Sequence, residues 1–348
     1  MTPLDTRLIP VDPANPEPER LAEAARIVRS GGLVAFPTET VYGLGANALD
    51  AVAVDAIFQA KGRPANDPII VHLAETGQLS QVTVEPPPLA LRLAEAFWPG
   101  PLTLVLRRAA AIPPNVSAGR DTVAVRMPSH PVARALIATA GVPIAAPSAN
   151  TFSRPSATTA QHVWDDLKGR IDLILDGGPT PLGVESTVLD LTGERPVVLR
   201  PGGVPIDALR EVAPDVTTRQ QYLEMDDTAA APGQLIKHYS PRAELLLFDG
   251  PGALDAMRVA AVGHSKDGQR VGLLLMQGEE MAFAELDVEI EGLGATLDAA
   301  AARLFAALRA LDSRCDVILA HTLPAVGIGA AIRDRLVRAA EGRVIPAP

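Results

Sequence analysis

Cysteine is nearly missing from this 348-residue chain: Cys315 stands alone, which excludes an internal disulfide framework and any cluster of cysteine metal ligands. Aromatic residues make up 3%, few for a protein that stacks nucleic-acid bases. Positive charge is outweighed as well. Against 41 Asp and Glu stand 31 Lys and Arg, and the net charge of −10 argues against broad, charge-driven nucleic-acid binding. A local basic pocket remains open. No apolar run approaches the about 18 residues of a membrane helix. The N-terminus, MTPLDTRLIPVDPANPEPER, lacks a basic region followed by an apolar run. No secretory signal or membrane association is therefore expected, and a soluble cytoplasmic protein is the default. The histidines (His72, His130, His162, His238, His264 and His321) show no metal-binding spacing. There is no G-x-x-x-x-G-K-[ST] loop and no G-x-S-x-G elbow. A bound nucleotide would be held without a P-loop, and a covalent serine or cysteine mechanism has no support.

What is present is a core-forming composition. Hydrophobic residues reach 47%, and the length suggests about two domains. Helical periodicity marks residues 19–30, AVAVDAIFQAKG, PPLALRLAEAFW, PVARALIATAG and QHVWDDLKGR. Between them lie β-rich runs: LVAF, PIIVHL, LTLVLR, DTVAVRM, VPIAAP, LILDGG, STVLDLT and PVVLR. The last two, separated by Gly-Glu-Arg, suggest a hairpin, so the expected α/β sheet is mixed and twisted. Residues 213–242 carry no clean period and read as a linker. From Ala243 a second α/β pattern begins, in which strands alternate with helices as in a small parallel Rossmann-like sheet. It lacks G-x-G-x-x-G, so a dinucleotide site is not supported.

The most informative stretch runs from Gly31 to Pro68: an apolar strand, a polar PTET turn, a helix from about Ala51, then Lys61 and Arg63 at its end. Cations there suit the helix dipole, and Gly62 and Pro64 suit a helix stop. The same two cations beside a hydroxyl-rich turn also suit a phosphate, Arg by its fork and Lys as a point charge. In DTVAVRMP, strand alternation sends Val123 and Val125 inward and puts Thr122, Ala124 and Arg126 on the other face. Thr122 and Arg126 then lie about 13 Å apart, a shelf for a carboxylate or phosphate or else a solvated strand face. A third polar cluster, Ser148, Asn150, Ser153, Ser156, Thr158 and Thr159, follows the apolar run VPIAAP. It fits phosphate or ribose contacts, or turn and N-cap chemistry. Glu185, Ser186 and Thr187 repeat the logic, and Arg200 ends a strand before Pro-Gly-Gly. His72 interrupts an apolar strand as a ligand-facing or a satisfied core residue.

Together PTETVYGLG, IFQAKGRP, PIIVH, WPGPLTLVL, DTVAVRMP, PIAAPSAN, GVEST and VLRPGG resemble, in order, the YrdC-type domain of the threonylcarbamoyl-adenylate synthase family. The resemblance covers about residues 8 to 211. PGQLIKHYSP resembles the linker of that family, and the remainder resembles the extra domain of its longer members. It departs from the family at Gln-Leu-Ile, where methionine followed by polar or basic residues is expected, and at Ser240, where alanine is usual.

The resemblance implies a YrdC-like domain over 1–211, a lid over 212–242 and a smaller C-terminal Rossmann-like domain over 243–348. It implies a nucleotidyltransferase that joins L-threonine, bicarbonate and ATP into threonylcarbamoyl-AMP and pyrophosphate, with Mg2+ accompanying ATP and held by no protein side chain. The product would pass to downstream tRNA threonylcarbamoyl-transfer proteins, which modify the adenosine beside the anticodon of tRNAs reading ANN codons. By motif, Thr38, His72, Arg126, Ala146 and Ser186 would hold threonine. Lys61 and Arg63 would act on the triphosphate, and Thr122, Ser148, Asn150, Ser156, Arg200 and Tyr239 would contact ATP. Two other readings are an RNA-binding module, contacting tRNA or double-stranded RNA, and a hydrogenase-maturation carbamoyl transferase. Net charge weighs against the first, and a single cysteine, too few for a zinc finger, against the second.

Overall fold

The computed structural model describes residues 4–219, 229 and 238–348. These fall into two compact units, one within 1–152 and 156–235, the other within 153–155 and 236–348.

The first unit contains β1 (Arg7–Pro10), α1 (Pro18–Arg29), β2 (Val34–Pro37), β3 (Tyr42–Asn47), α2 (Ala51–Lys61), β4 (Ile70–His72), α3 (Leu79–Val82) and α4 (Pro88–Phe97). Then come β5 (Leu102–Arg107), β6 (Thr122–Arg126), α5 (Pro131–Ala140), β7 (Ile144–Ala145), α6 (Ala160–Leu167), β8 (Leu173–Asp176), β9 (Thr187–Asp190), β10 (Val197–Arg200), α7 (Ile206–Val212) and β11 (Thr217–Thr218). Its strands form one sheet in the order β1-β8-β2-β3-β7-β4-β6-β5-β9-β10-β11. Pairing is mixed, as the short inter-strand segments require: β4/β6 and β5/β9 are parallel, whereas β2/β3, β5/β6 and β9/β10 are antiparallel. The last of these is the hairpin read from STVLDLT and PVVLR.

Alternation decides which face each strand residue takes. In β2, Ala35 joins the larger core, while Val34 and Phe36 join a second core with α1 and α5. In β6, Val123 and Val125 enter the larger core, and Ala124 lies on the opposite face with Ile70, Val105, Val188 and Leu199. The shelf carrying Thr122, Ala124 and Arg126 is thus a buried face for its last two residues rather than a solvated one.

In this unit the sequence marked none of β1, β3 and β11 as strands. β3 stands between the polar turn and α2, where the sequence suggested a turn running straight into the helix. Its glycines hide it. A Cβ on Gly45 would lie 2.7 Å from the Phe36 ring and 2.8 Å from Ile144, so the hairpin closes only because that position has no side chain.

α2 is set locally. Asp50 accepts hydrogen bonds from the Val52 and Ala53 amides, and Gly62, at φ 64°, ends the helix in the left-handed region. Lys61 is thereby fixed in the last turn and Arg63 just beyond it.

The second unit contains β12 (Glu244–Asp249), α8 (Ala253–Lys266), β13 (Val271–Leu275), β14 (Glu289–Gly292), α9 (Leu297–Asp312), β15 (Val317–His321), α10 (Gly329–Ala339) and β16 (Val344–Pro346). The sheet, ordered β14-β13-β15-β12-β16, is parallel throughout, as its strand–helix alternation predicts.

Candidate active site

Arg126 ends β6 and organises the first group of polar residues. Parallel pairing of β4 with β6 puts His72 beside Arg126, and the Ala146 amide donates to Ile70 at 2.9 Å. The guanidinium, 3% exposed, donates from Nε to Gly100 O (3.2 Å) and from Nη1 to Thr40 Oγ1 (3.0 Å). Thr40 in turn contacts Thr38 Oγ1 at 2.8 Å, and Thr38 donates to Val41 O at 2.6 Å, closing the PTET turn on itself. Glu39 stands on the other side of the guanidinium. Its Oε2 accepts from the Ser129 amide at 3.1 Å, and its Oε1 lies 2.7 Å from Arg126 Nη2. The two side chains form a buried ion pair. Burial, and then the adjacent Arg126 charge, hold the His72 imidazole down at about 3, so it is neutral at physiological pH. The subsite therefore carries one positive and one negative charge.

A second group forms at the end of α2. Lys61, 1% exposed, reaches across to donate to Ser148 O at 2.5 Å and to Asn150 O. Asn150 Nδ2 donates to Thr151 O, and Ser148 bridges to Gly43 of β3. Arg63 is buried too. It donates to the backbone oxygens of Asp67 and Pro68 and pairs with the Asp67 carboxylate at 2.9 Å. The two cations read as a phosphate-facing pair are thus already engaged with neighbouring oxygens.

The third group joins Ser186 and Arg200. Arg200 donates to Ser186 O at 2.9 Å, and Ser186 Oγ contacts Thr103 Oγ1 at 2.7 Å. Gly202 permits this closeness: a Cβ there would sit 2.3 Å from Ser186 carbonyl carbon. Ser156 donates to Glu185 at 2.5 Å, and both side chains are buried.

Backbone hydrogen bonds tie the groups together. Leu182 and Gly183 donate to Glu39 O and Thr40 O, the Thr187 amide donates to Pro101 O, and the Ala149 amide donates to Tyr42 O. Thr122, at the start of β6, is half-buried opposite Arg107. Tyr239 belongs to the second unit. There it is fully buried at φ 65°, 5.2 Å from the Phe305 ring and 5.2 Å from the Arg335 guanidinium. Most of the PGQLIKHYSP linker element lies outside the described residues.

Reading the sequence by residue type passed over Glu39, Thr40, Asp67 and Thr103. All but Thr103 lie inside or directly beside the quoted polar segments. Their signal was a carboxylate or second hydroxyl within a run singled out for its other members.

Comparison with known proteins agrees with this architecture. A family model described as Telomere recombination (Sua5, YciO, YrdC) matches residues 26–202, and one described as Threonylcarbamoyl-AMP synthase, C-terminal domain, matches residues 204–341. The threonylcarbamoyl-AMP synthase of Pyrococcus abyssi is 46% identical over 326 residues, covering 92% of this chain and 94% of its own. That of Bacillus subtilis is 44% identical over 328 residues, covering 94% of each. The crystal structure of P. abyssi Sua5 complexed with L-threonine superposes with a TM-score of 0.93 at 44% identity, over 98% of this chain and 100% of that one. Identity at this level across nearly the whole length places the chain in the threonylcarbamoyl-AMP synthase family, as an enzyme of the nucleotidyltransferase class.

Proposed function

We propose that this enzyme joins L-threonine, bicarbonate and ATP into threonylcarbamoyl-AMP and pyrophosphate, supplying the intermediate for threonylcarbamoylation of adenosine beside the anticodon of tRNAs reading ANN codons. One observation carries the reading. Arg126, His72, Thr38 and the Ala146 amide converge at neighbouring strand ends, and backbone hydrogen bonds link them to the Ser186–Arg200 and Lys61–Ser148 groups.

In this reading Arg126 takes the threonine carboxylate, and His72, Thr38, Ala146 and Ser186 surround the amino acid. Neutral His72 and the Thr38 hydroxyl offer hydrogen bonds without added charge. The threonine amine attacks the bicarbonate carbon, a C–O bond breaks and water leaves to give the carbamate, whose oxygen then attacks the α-phosphorus as pyrophosphate leaves. No side chain forms a covalent bond. The chain's part is to orient the reactants and to stabilise negative charge in a site shielded from water. In the same reading Lys61 and Arg63 serve the triphosphate, and Thr122, Ser148, Asn150, Ser156 and Arg200 serve the nucleotide.

Magnesium fits as a companion of the triphosphate, supplying charge neutralisation on its oxygens. The buried carboxylates of Asp67 and Glu185 are already held by Arg63 and Ser156, and among the described residues no group of three or more His, Cys, Asp or Glu could hold a metal. Among them, too, no helix is long and apolar enough to cross a membrane. The work divides between residues 1–211, which carry catalysis, and a lid over 212–242 that connects to residues 243–348.

The test is incubation with ATP, bicarbonate and labelled threonine. Pyrophosphate release that needs both threonine and bicarbonate is expected; release independent of either overturns the reading. Removal of 213–348 is expected to alter the kinetics, and unchanged kinetics would remove the lid.

A further inference from the structure

A cavity of about 580 Å³ opens in the first unit, lined by none of the residues assigned to the reaction. Its size is within the range that encloses a small organic ligand. One face of α2, the segment before β2 and residues 168–170 after α6 wall it. Leu4, Leu33 and Ala60 give it an aliphatic lining, and no aromatic residue lines it. Two exposed cations border the same space. The Lys168 side chain makes no hydrogen bond or ion pair among the described residues, and its ammonium stands 5.8 Å from the centre of the Trp164 ring. Arg170 donates from Nη1 to Ala60 O at 3.3 Å, and among the described residues no carboxylate pairs with it. The one acid in the lining, Asp172, is turned to the backbone, where its Oδ2 accepts from the Leu33 amide at 2.8 Å. The cavity is left with one positive charge in excess, on a chain whose net charge is −10.

We propose that this cavity is a second ligand site, separate from the candidate active site, for a carboxylate that carries an aliphatic chain. The carboxylate meets Lys168 and Arg170, whose guanidinium fork suits it, and the chain runs against Leu4, Leu33 and Ala60. Charge selects a monoanion. A single excess positive charge is cancelled by one carboxylate, whereas a phosphate monoester brings close to two negative charges into a space that already holds Asp172. The lining selects the body. Without an aromatic ring there is no face for a base or other flat ring to stack on, whereas aliphatic walls favour the burial of methylene groups. An ion pair at an exposed position is weak by itself, so the chain supplies most of the affinity and the two cations fix which end of the ligand lies outward. The site borders α2, the helix whose last residue is Lys61.

The experiment is isothermal titration calorimetry of the full chain with butanoate, hexanoate and octanoate. Octan-1-ol serves as the body without the charge, and inorganic phosphate as a charge without the body. Affinity should rise about fourfold per methylene along the carboxylates. Octan-1-ol should bind about three- to tenfold more weakly than octanoate, and phosphate more weakly still. Lys168→Met and Arg170→Gln, both at exposed positions, should each lower octanoate affinity about threefold and leave octan-1-ol binding as it was. Ala56→Phe, which fills the cavity from α2, should weaken both ligands together. Wild-type protein that shows no saturable octanoate binding overturns the proposal. So does octanoate binding that survives all three substitutions unchanged, because the ligand then sits elsewhere. Equal affinities for octanoate and octan-1-ol, or for octanoate and phosphate, overturn it as well.

Discussion

Arg63 and Asp67 form a buried ion pair, with Nη2 and Oδ2 2.9 Å apart and side chains 3% and 0% exposed. The pairing is local, four residues apart, directly after the helix that ends at Lys61. Removing one member of such a pair strands the other charge away from water, at a cost of about 3–5 kcal/mol. Asp67→Ala is therefore expected to unfold at markedly lower denaturant, measured by a urea melt followed by circular dichroism. A midpoint within error of wild type would show that solvent or another group replaces the carboxylate.

Lys61 carries two linked roles. Its ammonium holds the carbonyls of Ser148 and Asn150, and the proposed mechanism sets it beside the leaving pyrophosphate. Lys61→Met preserves length and removes both donor and charge. Turnover should fall by at least about a hundredfold, the loss that follows removal of one oriented charge-stabilising donor. Threonine affinity, which depends on the Arg126 group, should stay within about threefold. Pyrophosphate release at the wild-type rate would withdraw Lys61 from the mechanism.

His72 makes stability depend on pH. Its folded value of about 3 lies below the ordinary histidine value of 6.5 because burial disfavours the imidazolium and Arg126 repels it. Between these values the unfolded chain binds the extra proton. The stabilisation is thus full above pH 6.5 and is lost as pH falls toward 3, at a slope of up to about 1.4 kcal/mol per unit. His72→Gln should flatten that slope by the same amount in urea melts taken across the range. An identical slope would mean that His72 titrates normally in the folded protein.

Gly202 tests the packing behind Arg200. A methyl group at this position meets the backbone of Ser186 and Thr187, both at 2.3 Å, and backbone cannot swing aside as a side chain can. Gly202→Ala should cost about 1–3 kcal/mol or more and should shift Arg200 from Ser186. The checks are the melting temperature and the KM for ATP, both expected to worsen. A variant with unaltered melting temperature and KM would mean that the turn relaxes without consequence.

Much of the architecture could be read from local patterns. Asp50 and Gly62 bound α2 through contacts within a few residues, so its ends follow from the sequence. The β9/β10 hairpin follows from a three-residue connection, and the parallel sheet of the second unit from its alternation of strand and helix. β3 escaped because Gly43 and Gly45 are poor strand formers by propensity, and the Phe36 ring that requires a glycine at 45 comes from the neighbouring strand. At the site, residue types pointed to the right segments but not to their pairings.

Segment order, apolar periodicity and the placing of cations at helix and strand ends were fixed by the chain itself, since each depends on neighbours only a few positions away. Tertiary structure decided that Glu39 would meet Arg126 and that Thr103 would meet Ser186, pairs separated by 87 and 83 positions. Such meetings depend on strand order and register, which bring distant residues to one edge of a sheet and leave a buried charge no other place to find its counterpart.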